Sequence, residues 1–228
     1  MSDLLNTLLH DARLWRGHRQ TAVTPAAELT GFAPLDRELG GAGWPRGALS
    51  ECLLDRPGIG ELQLVLPLLQ RLTAQQKYVF WINPPFIPYA PALARADVDL
   101  GQIVQIDTDT RSDLLWTLEN CLRSPATGLV MAWPESLAAR DIRRLQLAAE
   151  TGQSICILFR NRQQASQSSP AALRLELAPD SRLGLQVNIL KRRGGWPGQT
   201  CRLALAARAG QDTATTVIQG PWPRPSGA

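Results

Sequence analysis

The sequence predicts an α/β domain built on a mostly parallel sheet with helices on both faces, preceded by an N-terminal helix and finished by an antiparallel β-hairpin. Three observations predict it. From Ala48 to Phe159, short apolar runs of strand length alternate with amphipathic runs of helical length, the pattern of right-handed crossovers in a parallel sheet. A Gly-bearing turn, Asp55 to Gly60, joins the first apolar run to the first helical one, as in strand–turn–helix units. After Phe159 the apolar residues recur every second position between turn signals, which is antiparallel patterning.

Taken in order, residues 1–20 read as an amphipathic helix, with Leu4, Leu5, Leu8, Leu9 and Ala12 at helical spacing before Trp15-Arg16. Residues 21–47 hold three Pro and five Gly and read as a linker and entry loop, interrupted by a short helix at Pro34–Leu39. Strand Ala48–Leu54, helix Glu61–Gln75 and strand Tyr78–Ile82 follow, then a Pro-rich turn and a short helix at Ala90–Ala96. Strand Ile103–Ile106 leads to helix Ser112–Arg123, with Thr110 as N-cap and Asp113 as the acidic half of a capping box. Strand Leu129–Trp133, helix Ala138–Thr151 and strand Ile155–Phe159 complete the alternation. Pro67 lies inside the first of these helices and should kink it, because it removes a donor and crowds the preceding turn. Asn161–Ala171 is polar and turn-rich; Leu173–Ala178, Leu183–Leu190 and Cys201–Ala206 alternate as strands, within a core domain read as 48–206. Residues 207–228 read as a polar, Pro-containing tail of low order.

Composition narrows the functional classes. The chain of 228 residues is 44% hydrophobic and 19% charged, suited to a globular core. It carries no apolar run of membrane-spanning length and no signal-peptide layout, so a cytoplasmic location is expected and no membrane partner. Cys52, Cys121, Cys156 and Cys201 are far apart and mostly within apolar runs, the placement of buried free thiols rather than of a metal site. The formal net charge is +4, and Lys77 and Lys191 are the only lysines; arginine suits phosphate and carboxylate recognition.

The turn after the first strand is the place for a phosphate-binding loop, G-x-x-x-x-G-K-[ST]. Of that pattern only Gly60 is present: Asp55 replaces the first Gly, Glu61 the Lys and Leu62 the Mg-binding hydroxyl, while Gly58 still permits a tight turn. A carboxylate at the Lys position repels a nucleotide's phosphates. His10 and His18 have no Ser, Cys or metal-ligand partner at recognised spacing. No cofactor or metal is expected.

Several spaced motifs carry a family resemblance. The segments GWPRG (Gly43–Gly47), PGIGELQLVLPLLQRL, WINPPFIPYAPAL, RRLQLAAE and LKRRGGWPG resemble ImuA over most of the chain, from about Leu14 to about Ala206. ImuA proteins are RecA-like accessory factors of the ImuA–ImuB–DnaE-type mutasome, which copies past DNA lesions. Residues 48–160 are also similar to SulA, the SOS-induced inhibitor of cell division. The ImuA resemblance implies a RecA-like, degenerate P-loop NTPase fold. It implies a non-catalytic factor of SOS-induced, error-prone translesion synthesis, binding ImuB, RecA filaments and single-stranded DNA, with self-association as a further option. The SulA resemblance implies instead an inhibitor binding the tubulin-like protein FtsZ, and a residual nucleotide-binding ATPase switch is a third reading. In RecA-type ATPases a carboxylate follows the second core strand and an Asp ends a later one. Here those places fall on Asn83-Pro84-Pro85 and on Trp133, with Glu135 nearby; one acid does not replace three catalytic parts.

By the same resemblance, Arg160, Arg162, Lys191, Arg192 and Arg193 are candidate phosphate contacts to DNA or contacts to a partner, with Trp196 as a stacking platform; a solvated loop and basic turn is the alternative. Leu5, Leu8, Leu9, Trp15 and Arg16 are either packed on the chain's own core or a docking element for a neighbour. Arg140, Arg143 and Arg144 read as a solvated basic helix face, with a dedicated site as the alternative. The Pro84–Tyr89 tip is a recognition surface if exposed, and core if buried.

Overall fold

Eight strands form one mixed sheet in the computed structural model, which describes residues 26–182, 184–195 and 199–205. Chain order begins with β1 (Ala27–Glu28), helix α1 (Ala33–Glu38) and β2 (Trp44–Pro45), then β3 (Ala48–Leu54) and α2 (Glu61–Ala74). Next come β4 (Tyr78–Ile82), α3 (Ala90–Arg95), β5 (Ile103–Ile106), α4 (Arg111–Arg123), β6 (Thr127–Ala132), α5 (Ala139–Gly152) and β7 (Ile155–Asn161). A hairpin of β8 (Leu173–Asp180) and β9 (Gly184–Arg192), then β10 (Thr200–Ala204), completes the elements among the described residues. The sheet order is β10-β9-β8-β3-β7-β6-β4-β5, with β9 and β10 antiparallel to their neighbours and the other pairs parallel.

The central strands are buried on both faces: every residue of β3 and β6 is buried, which is why their sequences run apolar without alternation. On one face α2 sets Leu64, Leu68, Leu69 and Leu72 against Cys52, Met131, Ile157 and Leu175. On the other, α4 and α5 set Leu118, Leu122, Ile142 and Leu145 against Leu49, Val130, Cys156 and Leu158. Thr110 caps α4 as its spacing predicts, accepting from the Asp113 amide at 3.1 Å.

Where composition predicts an entry loop with one short helix, residues 26–47 pair β1 with β2 and bury Leu35 and Trp44. This strap crosses α2 at Pro67. Gly31, at φ 89°, lies so close that a Cβ there would stand 2.6 Å from the Pro67 ring. Arg71 anchors the crossing by donating to the Leu29 carbonyl. The helix assignment of α2 runs unbroken from Glu61 to Ala74 with Pro67 inside it.

The RecA-like, degenerate P-loop class implied by the ImuA resemblance is corrected. The chain presents a mixed eight-stranded sheet whose turn after β3 is closed by its own carboxylate and is not a phosphate loop. Leu5, Leu8, Leu9, Trp15 and Arg16, like Trp196, His10, His18 and the expected tail, lie outside the described residues. Among the described residues no helix is long and apolar enough to cross a membrane.

Candidate functional site

The turn between β3 and α2 folds onto Glu61. Gly58 and Gly60 have φ of 88° and 110°, so successive amides curl inward as a concave nest of donors. Gly58 N donates to Glu61 Oε1 at 2.8 Å, and Ile59 N and Gly60 N donate to Oε2 at 3.0 and 3.2 Å. Glu61 is 4% exposed and is the first residue of a 14-residue helix, where backbone partial charge favours an anion. Leu205 roofs the turn: a Cβ on Gly60 would stand 2.3 Å from its Cδ1. Leu62 packs into the core and Asp55 stands exposed, 3.3 Å from Arg162. The geometry that elsewhere receives phosphate is filled here by the chain itself.

The neighbouring strand ends are equally committed. Trp133, which follows β6, stacks on Phe159 at 4.8 Å between centroids and lies 6.0 Å from Trp81. Asn83, which follows β4, accepts from the Thr108 amide at 2.8 Å and hydroxyl at 3.2 Å. Glu135 is exposed. Trp133, packed against two further rings, and a structural Asn thus stand where acids would be needed for hydrolysis.

The basic residues singled out from sequence do not form one surface. Arg160 is 6% exposed and donates to Glu51 at 2.5 Å and to the Leu137 carbonyl at 3.0 Å. Arg162 is exposed but bonds Glu176 at 2.6 Å. Burial pushes the Glu176 carboxyl up, yet hydrogen bonds from Asn188 and Arg162 and the Arg162 charge outweigh it and hold it below the usual range. Lys191 donates to the Ser169 carbonyl at 2.7 Å. Burial first, then the charges of Arg174 and Arg193, lower its pKa. Arg192 lies half-buried against Gly40 and Gly195, and Arg193 faces Glu150 at 4.0 Å.

Sequence reasoning missed Glu51 and Arg174. Glu51 is wholly buried in β3 and Arg174 faces it in the β3–β8 register. The available signal was a carboxylate inside the apolar run ALSECLL, since a buried charge requires a buried partner. In contrast, Phe86, Ile87 and Tyr89, for which both burial and exposure were open, are 70%, 88% and 66% exposed. Four prolines from Pro84 to Pro91 stiffen this tip, and only Leu93 of α3 packs on the core.

Residues 47–156 match the family model of the cell division inhibitor SulA. SulA of Serratia proteamaculans is 27% identical over 143 residues, which are 63% of this chain and 79% of that protein. SulA of Photorhabdus laumondii is 24% identical over 115 residues, 50% of this chain and 65% of that protein. For SulA of Edwardsiella piscicida the figures are 29% over 96 residues, 42% and 57%, so against these last two the chain spans less than two thirds of the relative. A crystal structure of SulA from Pseudomonas aeruginosa is 25% identical, covers 50% of this chain and 97% of that one, and superposes with a TM-score of 0.42.

The family-model and sequence matches correct the ImuA reading. The similarity found is to SulA, and the roles in DNA repair, translesion synthesis and mutagenesis, with ImuB, RecA and single-stranded DNA as partners, fall with it. The structure supplies a physical reason at the expected DNA track: Arg160 is buried on Glu51, and Arg162, Lys191 and Arg193 each already face an acceptor.

Proposed function

We propose that this chain is a SulA-like inhibitor of cell division that acts by binding, with the tubulin-like division protein FtsZ as its target and no reaction of its own. One observation carries the reading: the SulA family model matches residues 47–156, the stretch from the start of β3 to the start of β7. The closed Glu61 turn supports it from the chemical side, because a chain that fills its own anion nest is suited to binding rather than to turnover. The induction by DNA damage implied by the SulA resemblance goes with the same reading.

The contact surface we assign is the Pro84–Tyr89 tip. Large apolar side chains held out by proline lose little entropy on docking, and Phe86, Ile87 and Tyr89 are the most exposed large apolar residues of that segment. The experiment is direct. Purified full chain added to FtsZ should lower GTP hydrolysis and pelletable polymer in proportion to the inhibitor up to near-equimolar ratio. Unchanged hydrolysis and polymer at tenfold excess would exclude the reading.

A further inference from the structure

A second surface lies on the opposite face of the sheet from α2, where the first turns of α5 meet the loop between β7 and β8. Ala139, Arg140, Arg143, Ser168, Ser169 and Pro170 line an open cleft of about 480 Å³. Arg140 and Arg143 are three residues apart on one helix face and point to the same side. The opposite wall is held rigid from beneath: Arg174 donates to the carbonyls of Gln164 at 2.8 Å and Gln167 at 2.9 Å, and Lys191 to that of Ser169. The cleft is therefore shaped before any ligand arrives, which lowers the cost of binding.

The charge around it is unbalanced. The two buried carboxylates beneath it are each already shared between two arginines. Glu51 holds Arg160 and Arg174, and Asp141 holds Arg111 and, at 3.8 Å, Arg140. Asp141 also accepts from the Ala138 amide at 2.9 Å, so the N-terminus of α5 has its anion. Arg143 has no ion-pair partner among the described residues, and Arg140 is 85% exposed. This corner therefore presents two exposed guanidiniums suited to an anion.

We propose that the Arg140–Arg143 cleft binds an acidic segment of a protein partner, the two guanidinium forks taking side-chain carboxylates and the Ser168 and Ser169 hydroxyls donating at the rim. Paired forks match carboxylates in a planar, bidentate way. A nucleic acid fits less well: no aromatic side chain lines the cleft to stack a base. The site does not depend on the division-inhibitor reading, and its test leaves that reading untouched.

The test is fluorescence anisotropy of labelled hexaglutamate with the full chain at low and physiological salt. Arg140→Ala/Arg143→Ala is the site variant, and Arg95→Ala, on the exposed α3, is the control. Wild type should bind the peptide with salt-sensitive affinity, the double variant should bind about 10-fold more weakly or worse, and the control should match wild type. Charge reversal by Arg143→Glu should also abolish binding while leaving the melting curve unchanged. No binding at low salt, equal loss in the control, or tighter binding of oligothymidylate would each overturn the proposal. Inorganic phosphate competing as well as the peptide at equal charge would reduce the cleft to an adventitious ion site only.

Discussion

Glu51 and Arg174 face each other across the β3–β8 register, joined by a 2.6 Å bond from Arg174 Nε, with the acid wholly buried and the base 6% exposed. Arg160 takes the other carboxylate oxygen. The two guanidiniums then hold the loop between β7 and β8, so a single carboxylate in the sheet interior fixes a surface loop through two cations. Glu51→Ala leaves both guanidiniums buried and unpaired, and should cost about 3–5 kcal/mol. Urea unfolding checks it. A loss below about 1 kcal/mol would mean that water replaces the acid there.

That triad also marks what was legible in the sequence. Strand and helix positions in the core followed from periodicity, because burial on both faces of β3, β6 and β7 leaves a continuous apolar signal. Ends were less readable: β7 runs on to Asn161, beyond the last apolar residue, because Arg160 continues the ladder with its charge satisfied by Glu51. The replacement of the phosphate-loop residues by Asp55, Glu61 and Leu62 was legible, but the self-liganding of Glu61 was not, since the direction of the turn's amides is set by the φ of Gly58 and Gly60. The basic residues misled because charge density in a sequence carries no record of pairing. Arg160 and Arg174 look like any surface arginine until β3 brings Glu51 between them. The resemblance to ImuA misled for a related reason: short motifs carried by a core say little about the surface that acts.

Glu61→Ala should have two separable effects. Losing three hydrogen bonds to an ionised acceptor loosens the Gly58–Gly60 turn and costs about 1–3 kcal/mol. The same change empties the nest, whose amides still converge at a helix N-terminus. Inorganic phosphate should therefore raise the melting temperature of the variant and not that of wild type. Equal stabilisation of both proteins would show that Glu61 does not occlude the nest.

The thiols give an alkaline prediction. Burial pushes Cys121 and Cys201 up from 9.0 to about 11, and raises the wholly buried Cys52 and Cys156 further. For a thiol the ionised form is the charged one. The unfolded chain deprotonates near pH 9 and the folded chain only near pH 11, so the stability present below pH 9 is lost as pH rises through that window. Native protein should accordingly react slowly with a thiol reagent at pH 8, and promptly once unfolded in guanidinium. Fast reaction of all four cysteines in the native state would contradict the burial.

The apolar tip separates binding from folding. Phe86 and Ile87 are 70% and 88% exposed, so Phe86→Ser with Ile87→Ser removes little that the fold buries and should change stability by less than about 0.5 kcal/mol. If the tip docks on FtsZ, the same pair of changes removes the centre of a contact, where truncation of an aromatic anchor weakens binding by about 2 kcal/mol or more, some 30-fold. The expected result is a protein with a wild-type urea midpoint that no longer suppresses FtsZ polymer at concentrations where wild type does. Inhibition that survives the double change moves the contact elsewhere on the chain. A midpoint that falls would mean that the tip packs on the fold in solution, and would remove the case for it as a docking surface.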